Sequence, residues 1–159
     1  MNEVFQLLQK ANQYFKTADH LCHATYPLVN DPKLLMIITE NIFNALNAGL
    51  SAMVYYESLY KRAPVYEEDF ISKFNVFRSN CAERYNFPRE SVIMIKEVRD
   101  LITERKEAPV EFSRKDRYII ASDSYKLKAL SLDMVKRYLS HTKSFIERIN
   151  EVFEFNGRP

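Results

Sequence analysis

Arg137 and His141 lie four residues apart in "RYLSH", which puts them one turn apart on the same face of a helix. Histidine moves protons near neutral pH, and arginine stabilises a charged phosphate. Together they could cleave an RNA phosphodiester without a metal. His141 would act as acid or base for the 2′-hydroxyl reaction, and Arg137 would sit on the developing charge. The plainer reading is two exposed helical side chains, because polar positions on a helix usually face water.

A second group occupies the segment "APVEFSRKDRYIIASDSYKLKALS". Arg114, Lys115, Arg117, Lys126 and Lys128 are interleaved there with Phe112, Tyr118 and Tyr125. Lysine and arginine neutralise phosphates, and aromatic rings stack on unpaired bases. No recognition-helix motif stands out, so single-stranded RNA suits this group better than a duplex groove. The alternative is that Tyr118 and Tyr125 anchor the segment to the rest of the chain while the lysines stay in solvent. Residues 105–143 carry 10 Lys/Arg against 5 Asp/Glu, whereas residues 1–86 carry 8 against 9. The positive potential is therefore local, and a local basic patch attracts phosphate.

Two further groups are weaker. His20, Cys22 and His23 in "ADHLCHA" offer metal-ligating atoms. Cys22, however, belongs to the apolar stripe of its helix, and no Glu-x-x-His pair completes a di-iron set. No metal and no cofactor is expected. Glu40, Asn44, Asn47 and Ser51 share one side of another helix. They read as a solvated stripe or as a buried polar seam between helices. Two glycines in the chain leave little material for a phosphate-cradling loop, and GxGxxG and P-loop patterns are absent.

The elements that position these residues are mostly helical. Val4, Leu8, Ala11, Phe15, Ala18 and Cys22 alternate by 4 and 3, which predicts a helix from about Asn2 to Tyr26, ended by "YPLVNDP". Asp31 and Pro32 open a second helix that runs to about Arg62. Its stripe carries Ala45, Gly49 and Ala52, small residues that would let a neighbouring helix approach closely. Glu67, Glu68 and Asp69 suit the first turn of a third helix, with Phe70, Phe74, Phe77 and Cys81 inward. A fourth spans about Pro88 to Lys106, with Val92, Ile95, Val98 and Ile102 inward. "RYIIAS" and "YKLKAL" then predict a short hairpin turning at Asp123-Ser124. Ser131 caps the last helix, whose stripe runs from Leu132 and Val135 to Phe153. The expected fold is all-α, an antiparallel four- to five-helix bundle in one domain, 1–159. A short extended insert, 109–130, precedes the last helix, and a polar tail occupies 155–159.

No apolar run reaches the roughly 18 residues that span a bilayer. The first residues have no signal-peptide pattern, and two cysteines make no disulfide scaffold, so a cytoplasmic location is expected. Each apolar stripe could also pack against a second chain, so a homodimer is credible.

"LLQKANQYFKTADHL" leading to "NIFNALNAGLSAMVYYESLY", with a late helix bearing a basic–His pair, resembles HEPN-type helical bundles. The resemblance implies a dimeric bundle. In active members it implies a metal-independent ribonuclease that uses an Arg followed by four to six residues and a His. Here three residues separate Arg137 from His141, and members lacking the motif are implied to be binding or regulatory modules. "PVEFSR" also resembles a segment of archaeal proteins, a likeness that implies no activity. The expected function is therefore a non-enzymatic module that binds RNA or a protein partner through the surface around 105–143. The alternatives are a ribonuclease using Arg137 and His141, or a structural homodimer.

Overall fold

The computed structural model describes residues 1–124 and 126–156, the side chains of 155 and 156 excepted. The order of elements is α1 (Asn2–His20), a π turn (Leu21–Thr25), α2 (Tyr26–Val29), α3 (Lys33–Leu59), α4 (Phe70–Val76), a second π turn (Phe77–Cys81), α5 (Arg89–Glu107), β1 (Val110–Arg114), β2 (Arg117–Ala121), β3 (Leu127–Leu130) and α6 (Leu132–Asn156). The chain is mostly helical, with one small antiparallel sheet in the order β1-β2-β3.

Helix α3 is central: α1, α4, α5 and α6 all pack on it. It is apolar on most of its circumference, with Leu35, Ile38, Ile42, Leu46, Leu50 and Met53 fully buried, as a helix covered on several sides must be. Its N-cap is Pro32 rather than the expected Asp31, although the Asp31 side chain just ahead accepts the Lys33 amide at 3.0 Å. Gly49 is where α6 crosses. A Cβ placed there would come within 2.8 Å of Ile149 Cδ1 and 3.0 Å of Phe145 Cε1. The small-residue stripe thus does what its composition implies. Asn12 and Asn150 exchange amide hydrogen bonds of 3.1 and 3.0 Å, joining α1 to α6.

Further expectations need correction. The first helix does end within "YPLVNDP", but at Val29 rather than near Tyr26: it continues through the π turn into α2, and Asn30, at φ 49°, stops it. Pro27 lacks an amide hydrogen and would leave a carbonyl unpaired in an α-helix. The π turn just before it, with Tyr26 N–H bonded to the Leu21 carbonyl, opens the ladder there. Glu67 and Glu68 lie ahead of α4 rather than in its first turn. Asp69 is the cap, accepting the Ser72 amide at 3.3 Å. The insert is a three-stranded meander and not a two-stranded hairpin, because Val110–Arg114 pairs along β2. Burial along β3 does not follow the expected alternation, since Leu127 and Lys128 are both exposed, Ala129 is half-buried and Leu130 is buried; Asp123 and Ser124 form the β2–β3 turn. Ser131 caps α6, accepting the Met134 amide at 3.3 Å.

Candidate functional site

The sheet has two unlike faces, and the strand register defines them. Directly opposed residues of antiparallel strands share a face. Val110↔Ala121, Phe112↔Ile119, Arg114↔Arg117, Ile119↔Ala129 and Ala121↔Leu127 therefore lie on one side. Glu111↔Ile120, Ser113↔Tyr118, Tyr118↔Leu130 and Ile120↔Lys128 lie on the other.

The second side lies against the helices. Tyr118, Ile120 and Leu130 are buried in the main core. Glu111, Tyr118 and Lys128 on this side are tied down. Arg105, from the last turn of α5, donates to Glu111 at 3.1 and 3.3 Å and also to Glu40 of α3. The Tyr118 hydroxyl donates to Glu111 at 2.6 Å. Burial, then the Glu111 bond and charge, push this phenol up to about 12. Glu111 is held below the usual carboxylate range, with the Tyr118 bond the largest cause and Arg105 next among those that lower it. Lys128 reaches Glu104 of α5 at 3.0 Å.

The first side faces outward. Val110 is 53% exposed, Phe112 40% and Leu127 61%. Arg114, Lys115 and Arg117 are exposed at the β1–β2 turn, where Lys115 takes φ 57°. With Asp116, Ile119 and Ala129 they line a cleft of about 380 Å³. None of Arg114, Lys115 and Arg117 makes an ion pair among the described residues.

The basic–aromatic group is thus divided. Arg114, Lys115 and Arg117 come together on the outward side, and Lys126 is exposed just before β3. Tyr118, 4% exposed, anchors the sheet and offers no ring for stacking. Lys128 is turned toward α5, and Tyr125 lies outside the described residues. Among the described residues of this group, Phe112 is the exposed aromatic ring on the side of the cations.

Arg137 and His141 share a face of α6, as their spacing requires. Arg137 donates to Glu97 of α5 at 3.0 Å and stacks over Tyr138 at 5.1 Å. His141 Nδ1 lies 3.5 Å from the Ser91 hydroxyl. Tyr138, buried and beside Glu97, has its phenol pushed up to about 12, with burial the main cause. His23 pairs with Asp19 at 3.6 Å, and Cys22 is buried in the stripe. Among the described residues no three His, Cys, Asp or Glu side chains gather to hold a metal. The polar side of α3 splits as well: Glu40 pairs with Arg105, Ser51 accepts Lys73 at 3.4 Å, and Asn44 is exposed.

One charged centre escaped the sequence reading. Glu57 is fully buried near the end of α3. Arg62 donates to it at 2.9 and 3.3 Å, Arg84 at 3.0 Å, and the Tyr85 hydroxyl also donates. A Schellman turn explains the first contact. Lys61 at φ 57° reverses the chain, the Arg62 and Lys61 amides bond back to Glu57 and Ser58, and Arg62 folds over Glu57. Burial pushes the Glu57 carboxyl up, but the Arg62 and Tyr85 bonds and the Arg62 and Arg84 charges outweigh it, so it sits below the usual range. Cys81 beside it is pushed up to about 12, by burial first and Glu57 second, so it stays a thiol and not a nucleophile. The available signal was positional: Glu57 continues the apolar series Leu46, Leu50, Met53 at spacings of 4, 3 and 4.

No helix among the described residues is long and apolar enough to cross a membrane. No protein-family model matches the chain, and no curated protein or solved structure matches it.

Proposed function

We propose that the protein is a non-enzymatic binding module, HEPN-like in its helical part, that takes single-stranded RNA on the outward side of its sheet. The observation that carries this reading is the gathering of Arg114, Lys115 and Arg117, without ion pairs among the described residues, around a cleft beside exposed Phe112. Free cations neutralise phosphates, and a phenyl ring accepts a base of any sequence. The helices supply a rigid support, because the sheet's other side is packed into the core and held by Arg105, Tyr118 and Lys128. Arg137, committed to Glu97, leaves the Arg137–His141 pair as the weaker candidate.

The test is titration of a labelled single-stranded RNA in EDTA at several salt concentrations. For three phosphate contacts the logarithm of affinity should fall against the logarithm of salt with a slope of about −2, at roughly −0.7 per contact. Arg114→Glu with Arg117→Glu should remove most of the binding. Lys128→Glu should leave most of it, because that side chain points toward α5. Unchanged affinity in the double-arginine variant overturns the reading. RNA cleavage that survives EDTA and disappears in His141→Ala would move the function to α6.

A further inference from the structure

The cations of the outward side are not spread along it. Arg114, Lys115 and Arg117 sit at the β1–β2 turn, with Asp116 among them. The middle of the face is Phe112, Ile119 and Ala129, and it continues through Val110, Ala121 and Leu127. Lys126 is exposed beyond the far end, opposite Ser122 and before β3 begins, so it does not stand on this face. A polyanion lying along this face would find its counter-charges bunched at one end and an apolar surface beneath the rest.

Arg114 and Arg117 are directly opposed across the hairpin. Like charges in such a pair repel and destabilise the strands. Neither makes an ion pair among the described residues; Asp116, which lines the same cleft, sets one negative charge against Arg114, Lys115 and Arg117 and does not fully offset the repulsion. A doubly charged anion between them would. Arginine forks pair with two phosphate oxygens at once, which suits a compact phosphate group. Phe112 follows two residues away on the same face, about 7 Å along the strand at roughly 3.3 Å per residue. One nucleotide can reach both places.

We infer that the cleft at the β1–β2 turn recognises the phosphorylated end of an RNA strand, with the terminal phosphomonoester between Arg114 and Arg117 and the adjoining base on Phe112. A terminal monoester carries about −1.5 to −2 charge near neutral pH, whereas an internal diester carries a single negative charge. The inference rests on the RNA reading above and narrows it to one end of the strand. The 5′- and 3′-monoesters share this chemistry.

Three short RNAs of one sequence separate the possibilities: one with a 5′-phosphate, one with a 3′-phosphate, and one with hydroxyls at both ends. Each competes for the full chain in EDTA, read by fluorescence anisotropy. At least one phosphorylated form should bind on the order of tenfold tighter than the hydroxyl form, about 1.4 kcal/mol. Arg114→Gln with Arg117→Gln should erase that advantage, and Lys126→Gln should keep it. The double variant should fold as well as the parent, because both side chains are exposed and their mutual repulsion is removed; an unchanged or higher melting temperature checks this. Equal binding of all three RNAs overturns end recognition and leaves the RNA reading standing. Binding of none of them overturns both.

Discussion

The Tyr85 hydroxyl donates to the Glu57 carboxylate across 28 residues of chain, inside a pocket where Glu57 has no exposed surface. This bond joins the end of α3 to the turn before α5. Arg84 and Arg62 close the charge, and Arg148 of α6 donates to the Tyr85 carbonyl at 2.5 Å. Two stretches distant in sequence, 57–62 and 84–85, thus meet at one carboxylate, and α6 joins them through the Tyr85 backbone.

Glu57→Ala should therefore destabilise the fold by about 3 kcal/mol, the low end for breaking a buried pair, because Arg62 and Arg84 are partly exposed and can turn to water. Urea denaturation measures it. The pH dependence has a definite sign. The folded carboxyl is depressed, so its contribution is complete above the unfolded value of about 4.3 and is lost as pH falls through the folded value. Wild type should lose stability below about pH 4.3 more steeply than Glu57→Gln. Parallel acid curves would show that Glu57 is not the carboxyl responsible.

Gly49→Ala places a methyl group against Ile149 and Phe145, both buried. Overpacking costs roughly 1–3 kcal/mol, and the gain in helix propensity returns up to about 1. The net expectation is a loss of about 1 kcal/mol and a melting temperature lower by about 2–4 °C. Adding Ile149→Val, which removes the nearest carbon, should recover part of the loss. A Gly49→Ala protein that melts above wild type would mean that α6 yields freely at this crossing.

Tyr118→Phe removes one donor to Glu111 and leaves Arg105 in place. The effect should be local. Amides of β1 and β2 should exchange faster by roughly fivefold to tenfold, about 1 kcal/mol, while those of the core of α3 stay unchanged. Equal acceleration throughout the chain would mean that the sheet and helices open as one unit.

The helices were legible because their burial follows the 3.6-residue period. Leu35, Ile38, Ile42, Ala45, Gly49, Ala52 and Tyr56 are all inward on α3, and the α5 and α6 stripes are equally faithful. The sheet was half legible. Glu111, Ser113 and Arg114 hid β1, since polar side chains carry little strand signal and its pairing with β2 is a tertiary fact. The period of two in β3 was visible, but its direction was not: Leu127 and Ala129 face outward, and Lys128 turns toward α5 because Glu104 waits there. Tyr118 was assigned two roles by composition, and only its partner Glu111 separates them. Glu57 was hidden for the opposite reason. A charged residue in an apolar series reads as a surface position until Arg62, Arg84 and Tyr85 are seen to converge on it.

Each of the two π turns carries one residue more than an α-helix needs for the same rise. Tyr26 bonds back five residues to Leu21, and Ala82 bonds back five to Phe77. A chain one residue shorter inside the second turn would close the regular ladder of that helix, whereas in the first it would set Pro27, which has no amide hydrogen, into that ladder and leave a carbonyl unpaired. A chain one residue longer would rotate everything downstream by about 100°, the angle between successive residues at 3.6 per turn. The second turn therefore marks where the helical framework can give up a residue, whereas the first is held at its length by Pro27.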